Sequence, residues 1–209
     1  MSQFPARGLY AITREAYSST AALVDAVAAA IRGGAGVIQY RAKNSQDREG
    51  EARALRRLCR SKGIPFLIND DVELALRVGA DGVHVGKTDM GLLGARQRLG
   101  AEAIIGVSCY DSMALALDAE RQGASYVAFG RFFPSQTKPH APCAHLETLV
   151  EAKQRLNLPV VAIGGITAGN GRALLAAGAS HLAVIEGIFG GPDPESAAGE
   201  FRGCFGSEG

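Results

Sequence analysis

The chain has 209 residues, 47% of them hydrophobic, with no low-complexity tract, which predicts one globular domain with a single sizeable core. Its formal net charge of +1 is dispersed along the chain, which argues against binding to nucleic acid or to an anionic membrane surface. Any anion must then be met locally, by a few placed Lys, Arg and backbone N–H groups.

Four cysteines (Cys59, Cys109, Cys143 and Cys204) have neither metal-ligand nor disulfide-framework spacing. The N-terminal residues lack an apolar signal core, and the apolar stretch from Ala21 to Ile31 is too short and too charged to span a bilayer. A reduced, cytoplasmic setting is the expectation.

In chain order, a first strand runs from Gly8 to Thr13, followed by a helical pattern over 20–32. Gly34-Ala35-Gly36-Val37-Ile38 opens a second strand that ends Gln39-Tyr40-Arg41-Ala42-Lys43. Strand alternation puts Gln39, Arg41 and Lys43 on one side, and an amide buried with two cations is costly unless an anion arrives.

A helix over 47–61 leads to a third strand, Pro65 to Asn69, that ends Ile68-Asn69-Asp70-Asp71. After a helix over 72–78, Gly79-Ala80-Asp81-Gly82-Val83 opens a fourth strand, and Asp89 stands a few residues beyond it. Buried strands carry acids at their tips cheaply only where something there attracts them. Asp70 and Asp89 follow consecutive strands, so parallel pairing brings them together as the donor set of a hard cation, Mg²⁺, holding a phosphorylated substrate. Helix capping by Asn69, Asp70 or Asp71 is the competing reading, and it explains Asp89 less well. His84, inside the fourth strand, reads as a packed histidine rather than a metal ligand.

The next helix covers 91–99, and the fifth strand, Ala103 to Ser108, offers the Ser108 hydroxyl either to a ligand or as a cap for a helix over 111–122. Cys109, beside it, reads as a passive thiol. Gly123-Ala124-Ser125-Tyr126-Val127 opens a sixth strand that runs into the longest loop, Gly130 to Pro142. This loop carries Ser135-Gln136-Thr137-Lys138 and reads as a lid over an anion. His140 and His145 have no partner evident in the sequence.

A helix over 145–155 precedes the seventh strand, Pro159 to Gly164, which ends Ile163-Gly164-Gly165-Ile166-Thr167. A helix over 169–177 follows. Gly178-Ala179-Ser180-His181-Leu182 then opens an eighth strand ending Val184-Ile185-Glu186-Gly187-Ile188, and a last helix covers 194–202. A glycine-rich turn before a helix lets backbone N–H groups approach a phosphate.

The Gly-Ala echo at 34, 79, 123 and 178, together with eight strand–helix units, predicts a single-domain (β/α)8 TIM barrel. Its core spans about 8–190, and 191–209 form a C-terminal helix and tail. The strands are continuous apolar runs, as expected when both faces are buried. A doubly wound open sheet is the runner-up, but it rarely needs eight regular units. In such barrels the active site lies at the C-terminal ends of the strands, often with a phosphate site after strands seven and eight.

Several of these segments together are similar to one family. From near Leu9 to about Gly190 the chain resembles thiamine-phosphate synthase, through Gln39-Tyr40-Arg41-Ala42-Lys43, Ile68-Asn69-Asp70-Asp71-Val72-Glu73-Leu74-Ala75, Gly82-Val83-His84-Val85-Gly86, Gly106-Val107-Ser108, Pro134-Ser135-Gln136-Thr137-Lys138 and Gly164-Gly165-Ile166. The resemblance implies that the ring nitrogen of a thiazole phosphate attacks a hydroxymethylpyrimidine diphosphate and releases pyrophosphate. The diphosphate leaves ahead of strong bonding to the nucleophile.

Carried over by the resemblance, Asp70 and Asp89 hold Mg²⁺, and Arg41, Lys43, Asn69 and Lys138 grip the diphosphate. Gln39 contacts the pyrimidine, and Ser108 sits between ring and leaving group. Ser135, Thr137, Gly165 and the Ile185-Glu186 turn hold the thiazole phosphate. Tyr40, Ala42 and Gln136 complete the implied substrate-binding segments, with Arg41, Ser108 and Lys138 nearest the chemistry.

Three positions depart from the family pattern: Ser135 stands where Thr is common, Arg131 where proline is frequent, and Glu186 where Ser often donates to the phosphate. Competing readings are a thiazole tautomerase of the same fold, which needs neither diphosphate nor metal, a barrel that binds thiamine precursors without turnover, and another phosphate-binding barrel enzyme. A homodimer is compatible with the sequence.

Overall fold

The computed structural model describes residues 3–86, 91–134 and 143–206. Eight strands alternate with helices: β1 (Gly8–Ile12), α1 (Thr20–Gly33), β2 (Ala35–Tyr40), α2 (Arg48–Lys62), β3 (Phe66–Asn69), α3 (Val72–Val78), β4 (Gly82–Val85), α4 (Gly91–Leu99), β5 (Ile104–Tyr110), α5 (Met113–Arg121), β6 (Tyr126–Phe129), α6 (Leu146–Arg155), β7 (Val160–Ile163), α7 (Ala168–Ala177) and β8 (His181–Val184). All neighbouring strands pair in parallel, and β8 returns to β1 through Gly8↔His181 and Leu9↔Leu182, closing the barrel as expected.

The recurring glycines end helices. Gly79, at φ 65°, turns its N–H back to the Ala75 and Leu76 carbonyls of α3, a left-handed turn that a side chain would strain. Two features differ from the sequence reading. A short helix α8 (Glu186–Phe189) follows β8 directly, and the expected last helix divides into α9 (Pro194–Glu200) and α10 (Arg202–Phe205). α9 lies so close on α1 that a Cβ on Gly33 would stand 2.4 Å from the Glu195 carbonyl oxygen. α9 is thus part of the outer layer. No helix among the described residues is long and apolar enough to cross a membrane.

Strand alternation sorts the buried residues into two cores. One set, including Leu9, Ile38, Tyr40, Phe66, Ile68, Val83, Val127 and Leu182, packs with apolar faces of the helices. The other, including Tyr10, Val37, Leu67, Ile104, Tyr126, Val161 and Ala183, fills the barrel interior, with Phe4 packed against it. Phe4 stacks on Tyr126 (centroids 4.1 Å apart) and lies 4.7 Å from the His181 ring. This aromatic plug fills the interior, and polar side chains take over toward the C-terminal ends of the strands.

Candidate active site

A cavity of about 350 Å³ opens there, lined by Tyr10, Gln39, Arg41, Asn69, His84, Ser108 and Tyr126 on one side and by residues of the last two units on the other. Its floor is one hydrogen-bonded chain. Gln39 Nε2 donates to the Tyr10 hydroxyl (2.7 Å), which lies 2.8 Å from the Tyr126 hydroxyl. His84 sits between Tyr126 (Nδ1, 2.9 Å) and Ser108 (Nε2, 2.8 Å). Passing protons from Gln39 toward Ser108 gives every hydroxyl along the way an acceptor, and the Ser108 hydroxyl proton is the one the chain does not use. Burial raises the pKa of both tyrosines, so the phenols stay neutral and act as hydrogen-bonding groups.

Ser108 lies within β5 and is no helix cap; Ser112 caps α5 instead, accepting from Leu115 N. His84 is packed, as its place in a strand suggested, and it also lines the cavity. Neither Tyr126 nor Tyr10 was singled out by sequence reasoning. Their signal, one aromatic on each of two strands, is indistinguishable from ordinary core until the register is known.

Beside this floor, the ends of β2 and β3 gather charge. Arg41 lines the cavity, and its Nη1 lies 3.2 Å from Glu15 Oε2. Lys43 is largely exposed, outside the cavity lining, and reaches Asp70 Oδ2 at 3.4 Å. Asn69 Nδ2 donates to the same oxygen (2.6 Å). Asp70 adopts φ 62°, a rare conformation for a residue with a side chain, while Asp71 caps α3 by accepting from Leu74 N at 2.8 Å. The capping reading of these acids is thus met by Asp71.

Across the mouth, Gly164 (φ 105°) and Gly165 (φ 63°) pass directly under the start of the long loop. A Cβ on Gly164 would stand 2.2 Å from Arg131 Cβ, and one on Gly165 would stand 2.3 Å from the Pro134 carbonyl oxygen. The Gly-Gly pair is thus required by packing, beside any use toward a phosphate. Asn170 ties the turn down by donating from Nδ2 to the Gly165 carbonyl (3.1 Å) and accepting from Thr167 N (2.9 Å). Ile185, Glu186 and Arg131 also line the cavity, Glu186 as the first residue of α8.

The structure therefore brings Gln39, Arg41, Asn69, Ser108, Gly165, Ile185 and Glu186 together around one cavity. Tyr40 and Ala42 are placed elsewhere. Both belong to the core between barrel and helices, and the Tyr40 hydroxyl bonds to Glu51 of α2. Being one residue out of phase with Gln39 and Arg41 turns them outward. Asp89, Ser135, Gln136, Thr137, Lys138 and His140 lie outside the described residues. His145 does have a partner, with Nδ1 2.6 Å from Asp111 Oδ2, and Thr148 donates to the other oxygen of that carboxylate. Cys109 is buried in the outer core, and burial pushes its thiol up to about 12, which keeps it inert.

A closed parallel barrel with a polar floor, charged residues at the ends of β2 and β3 and a glycine-lined turn after its seventh strand has the architecture of the (β/α)8 enzymes, whose active sites lie at the strand ends. A sequence model described as thiamine monophosphate synthase matches residues 9–188. The thiamine-phosphate synthase of Thioalkalivibrio sulfidiphilus is 50% identical over 201 residues, covering 95% of each chain. That of Methylococcus capsulatus is also 50% identical, over 204 residues, covering 97% of this chain and 91% of that protein. The solved thiamine phosphate pyrophosphorylase of Pyrococcus furiosus superposes with a TM-score of 0.85 at 37% identity, covering 95% of both chains. This chain belongs to the thiamine monophosphate synthase family.

Proposed function

We propose that the chain is a transferase of thiamine biosynthesis. It joins a hydroxymethylpyrimidine diphosphate to a thiazole phosphate and releases thiamine phosphate and pyrophosphate. The observation that carries this reading is a mouth with two unlike sides over one polar floor. Arg41, Lys43, Asn69 and Asp70 gather at the ends of β2 and β3, and the Gly164-Gly165 turn faces them with Ile185 and Glu186.

In the reaction the methylene C–O bond breaks with its electron pair leaving on pyrophosphate, and the thiazole nitrogen lone pair forms the new C–N bond. No base is needed at that nitrogen. The main demand is to hold the departing charge, which preorganised cations do well in a partly dry site. Arg41 and Lys43 would meet the diphosphate, with Asn69 beside them. Gln39 and the Ser108 hydroxyl, held by the floor network, would orient the pyrimidine. Backbone groups near Gly165 and Ile185-Glu186 would receive the thiazole phosphate; the family resemblance adds Ser135 and Thr137 to that side and Lys138 to the diphosphate grip.

Mg²⁺ fits the donor chemistry of Asp70, a part-exposed carboxylate on which Asn69 and Lys43 both bond to a single oxygen, Oδ2. Asp70 would hold the ion with Asp89, and the ion would supply further positive charge to the pyrophosphate oxygens. Among the described residues there is no cluster of three or more His, Cys, Asp or Glu side chains suited to a metal. A cation of this type commonly rests on one or two carboxylates, substrate phosphates and water.

Pyrophosphate release by the purified protein, measured with each substrate alone, with both, and with or without Mg²⁺, tests the proposal. Release that requires both substrates and the ion is the expected result. Thiazole isomerisation without diphosphate would indicate tautomerase activity instead, and precursor binding with no turnover would indicate a non-catalytic barrel.

A further inference from the structure

We infer that Glu15 is a positioning residue for the diphosphate grip, an inference that rests on the function proposed above. Glu15 stands in the turn after β1, two residues beyond Thr13. Its carboxylate makes three contacts, all to the loop that follows β2. Oε2 lies 3.2 Å from Arg41 Nη1, while Oε1 accepts from the backbone N–H of Lys43 (2.5 Å) and of Asn44 (2.8 Å). From the same turn, Thr13 Oγ1 accepts from Arg41 N at 2.9 Å, and Thr13 N donates to the Gln39 carbonyl at 3.0 Å. The backbone of 41–44 and the Arg41 guanidinium are therefore both tied to the turn that leaves β1.

A carboxylate at this place opposes the arrival of a polyanion, so simple electrostatics argues against it. What it provides is order. The Arg41 side chain is only 18% exposed, and a guanidinium held that far from water needs a counter-charge to keep one orientation. Two successive N–H groups converging on one carboxylate oxygen set the course of the loop that carries Lys43. Among the described residues, the Glu15 contact to the guanidinium uses a single nitrogen, which leaves the remaining donors of the fork to meet phosphate oxygens. Lys43 takes its side-chain direction from Asp70, and its backbone from Glu15. The two cations are thus aimed by two different acids before substrate arrives, which lowers the cost of ordering them on binding.

The test uses the full chain with Glu15→Ala and Glu15→Gln. Steady-state rates are measured against each substrate separately, and Mg²⁺-pyrophosphate binding is measured by calorimetry. Glu15→Ala should raise the KM for the pyrimidine diphosphate and the Kd for Mg²⁺-pyrophosphate about ten-fold or more, the scale of losing a hydrogen bond to a charged group. The KM for the thiazole phosphate should stay unchanged. Glu15→Gln keeps a neutral oxygen for the two N–H groups and should recover part of the loss; it also carries the comparison if the alanine variant does not fold. Equal shifts in both KM values, or an unaltered pyrophosphate Kd in a folded variant, would overturn the inference. A wild-type protein that neither binds Mg²⁺-pyrophosphate nor turns over would instead defeat the functional reading, and this inference with it.

Discussion

Neighbouring aspartates after β3 show how much a single residue's backbone decides. Asp71 has its carboxylate on Leu74 N and lies 3.1 Å from Arg48, an arrangement that stabilises α3. Asp70, at φ 62°, is turned toward Lys43 and Asn69, and holding a non-glycine residue in that conformation costs free energy that α3 does not recover. Asp71→Ala should therefore lower stability by about 1 kcal/mol, the usual scale of a lost N-cap, and leave the Mg²⁺ dependence of turnover intact. Asp70→Ala should do the reverse, cutting turnover far more than stability. Denaturant unfolding of both variants, paired with Mg²⁺ titrations of the initial rate, checks this. Identical Mg²⁺ responses in the two would remove Asp70 from the proposed metal site. In sequence the run Asn69-Asp70-Asp71 leaves the cap open among three residues, because a cap and a metal ligand both want a short polar side chain at a strand-to-helix turn.

At the scale of elements, the floor of the cavity depends on how β5 meets β6. Gly106 is paired with Tyr126, and a Cβ on Gly106 would stand 1.9 Å from Tyr126 Cζ. The absence of a side chain on one strand makes room for the ring of the next, and that ring places its hydroxyl between Tyr10 and His84. Gly106→Ala should displace the ring at a cost of about 1–3 kcal/mol, the range for overpacking a core, and disconnect Ser108 from the network. The expected kinetic result is a lower kcat/KM for the pyrimidine diphosphate in both Gly106→Ala and Tyr126→Phe. Tyr126→Phe keeps the ring's volume and loses only the hydroxyl. Wild-type kinetics in Tyr126→Phe would show that the hydroxyl chain has no part in orienting substrate.

For the whole molecule, the barrel interior sets a pH limit. His181 is fully buried, with Nδ1 2.9 Å from Ser180 Oγ and Nε2 without a hydrogen-bond partner among the described residues, and burial pushes its pKa down to about 4. The unfolded chain takes up this proton near the ordinary value of 6.5, while the folded chain resists it until about 4. The unfolded state therefore binds more protons between those values, and stability falls as pH drops through that window. One group over that span accounts for about 3 kcal/mol at most, from roughly 1.4 kcal/mol per pH unit. His181→Leu, which removes the orphaned nitrogen, should flatten this acid limb in urea midpoints measured across the window. A limb of undiminished slope in the variant would place the sensitivity elsewhere.

The sequence by itself determined the architecture and the location of the site. Continuous apolar strands, the Gly-Ala turns and the alternating helical patterns are local signals, and eight of them in register leave the closed barrel with its site at the strand ends. It also supplied Gln39, Arg41, Asn69 and Ser108, because a polar residue at the end of a buried strand stands out from its neighbours, and Gly165 through its glycine-rich turn, while Ile185 and Glu186 came from the family resemblance. Strand alternation already separated Gln39, Arg41 and Lys43 from Tyr40 and Ala42; only the tertiary structure decided that Gln39 and Arg41 line the cavity, that Lys43 stands outside it, and that Tyr40 and Ala42 pack against the helices. Tyr10, Tyr126 and Glu15 acquire their partners across 116, 42 and 28 residues of chain. Contacts at such separations come from closing the barrel, and no local pattern of residues encodes them.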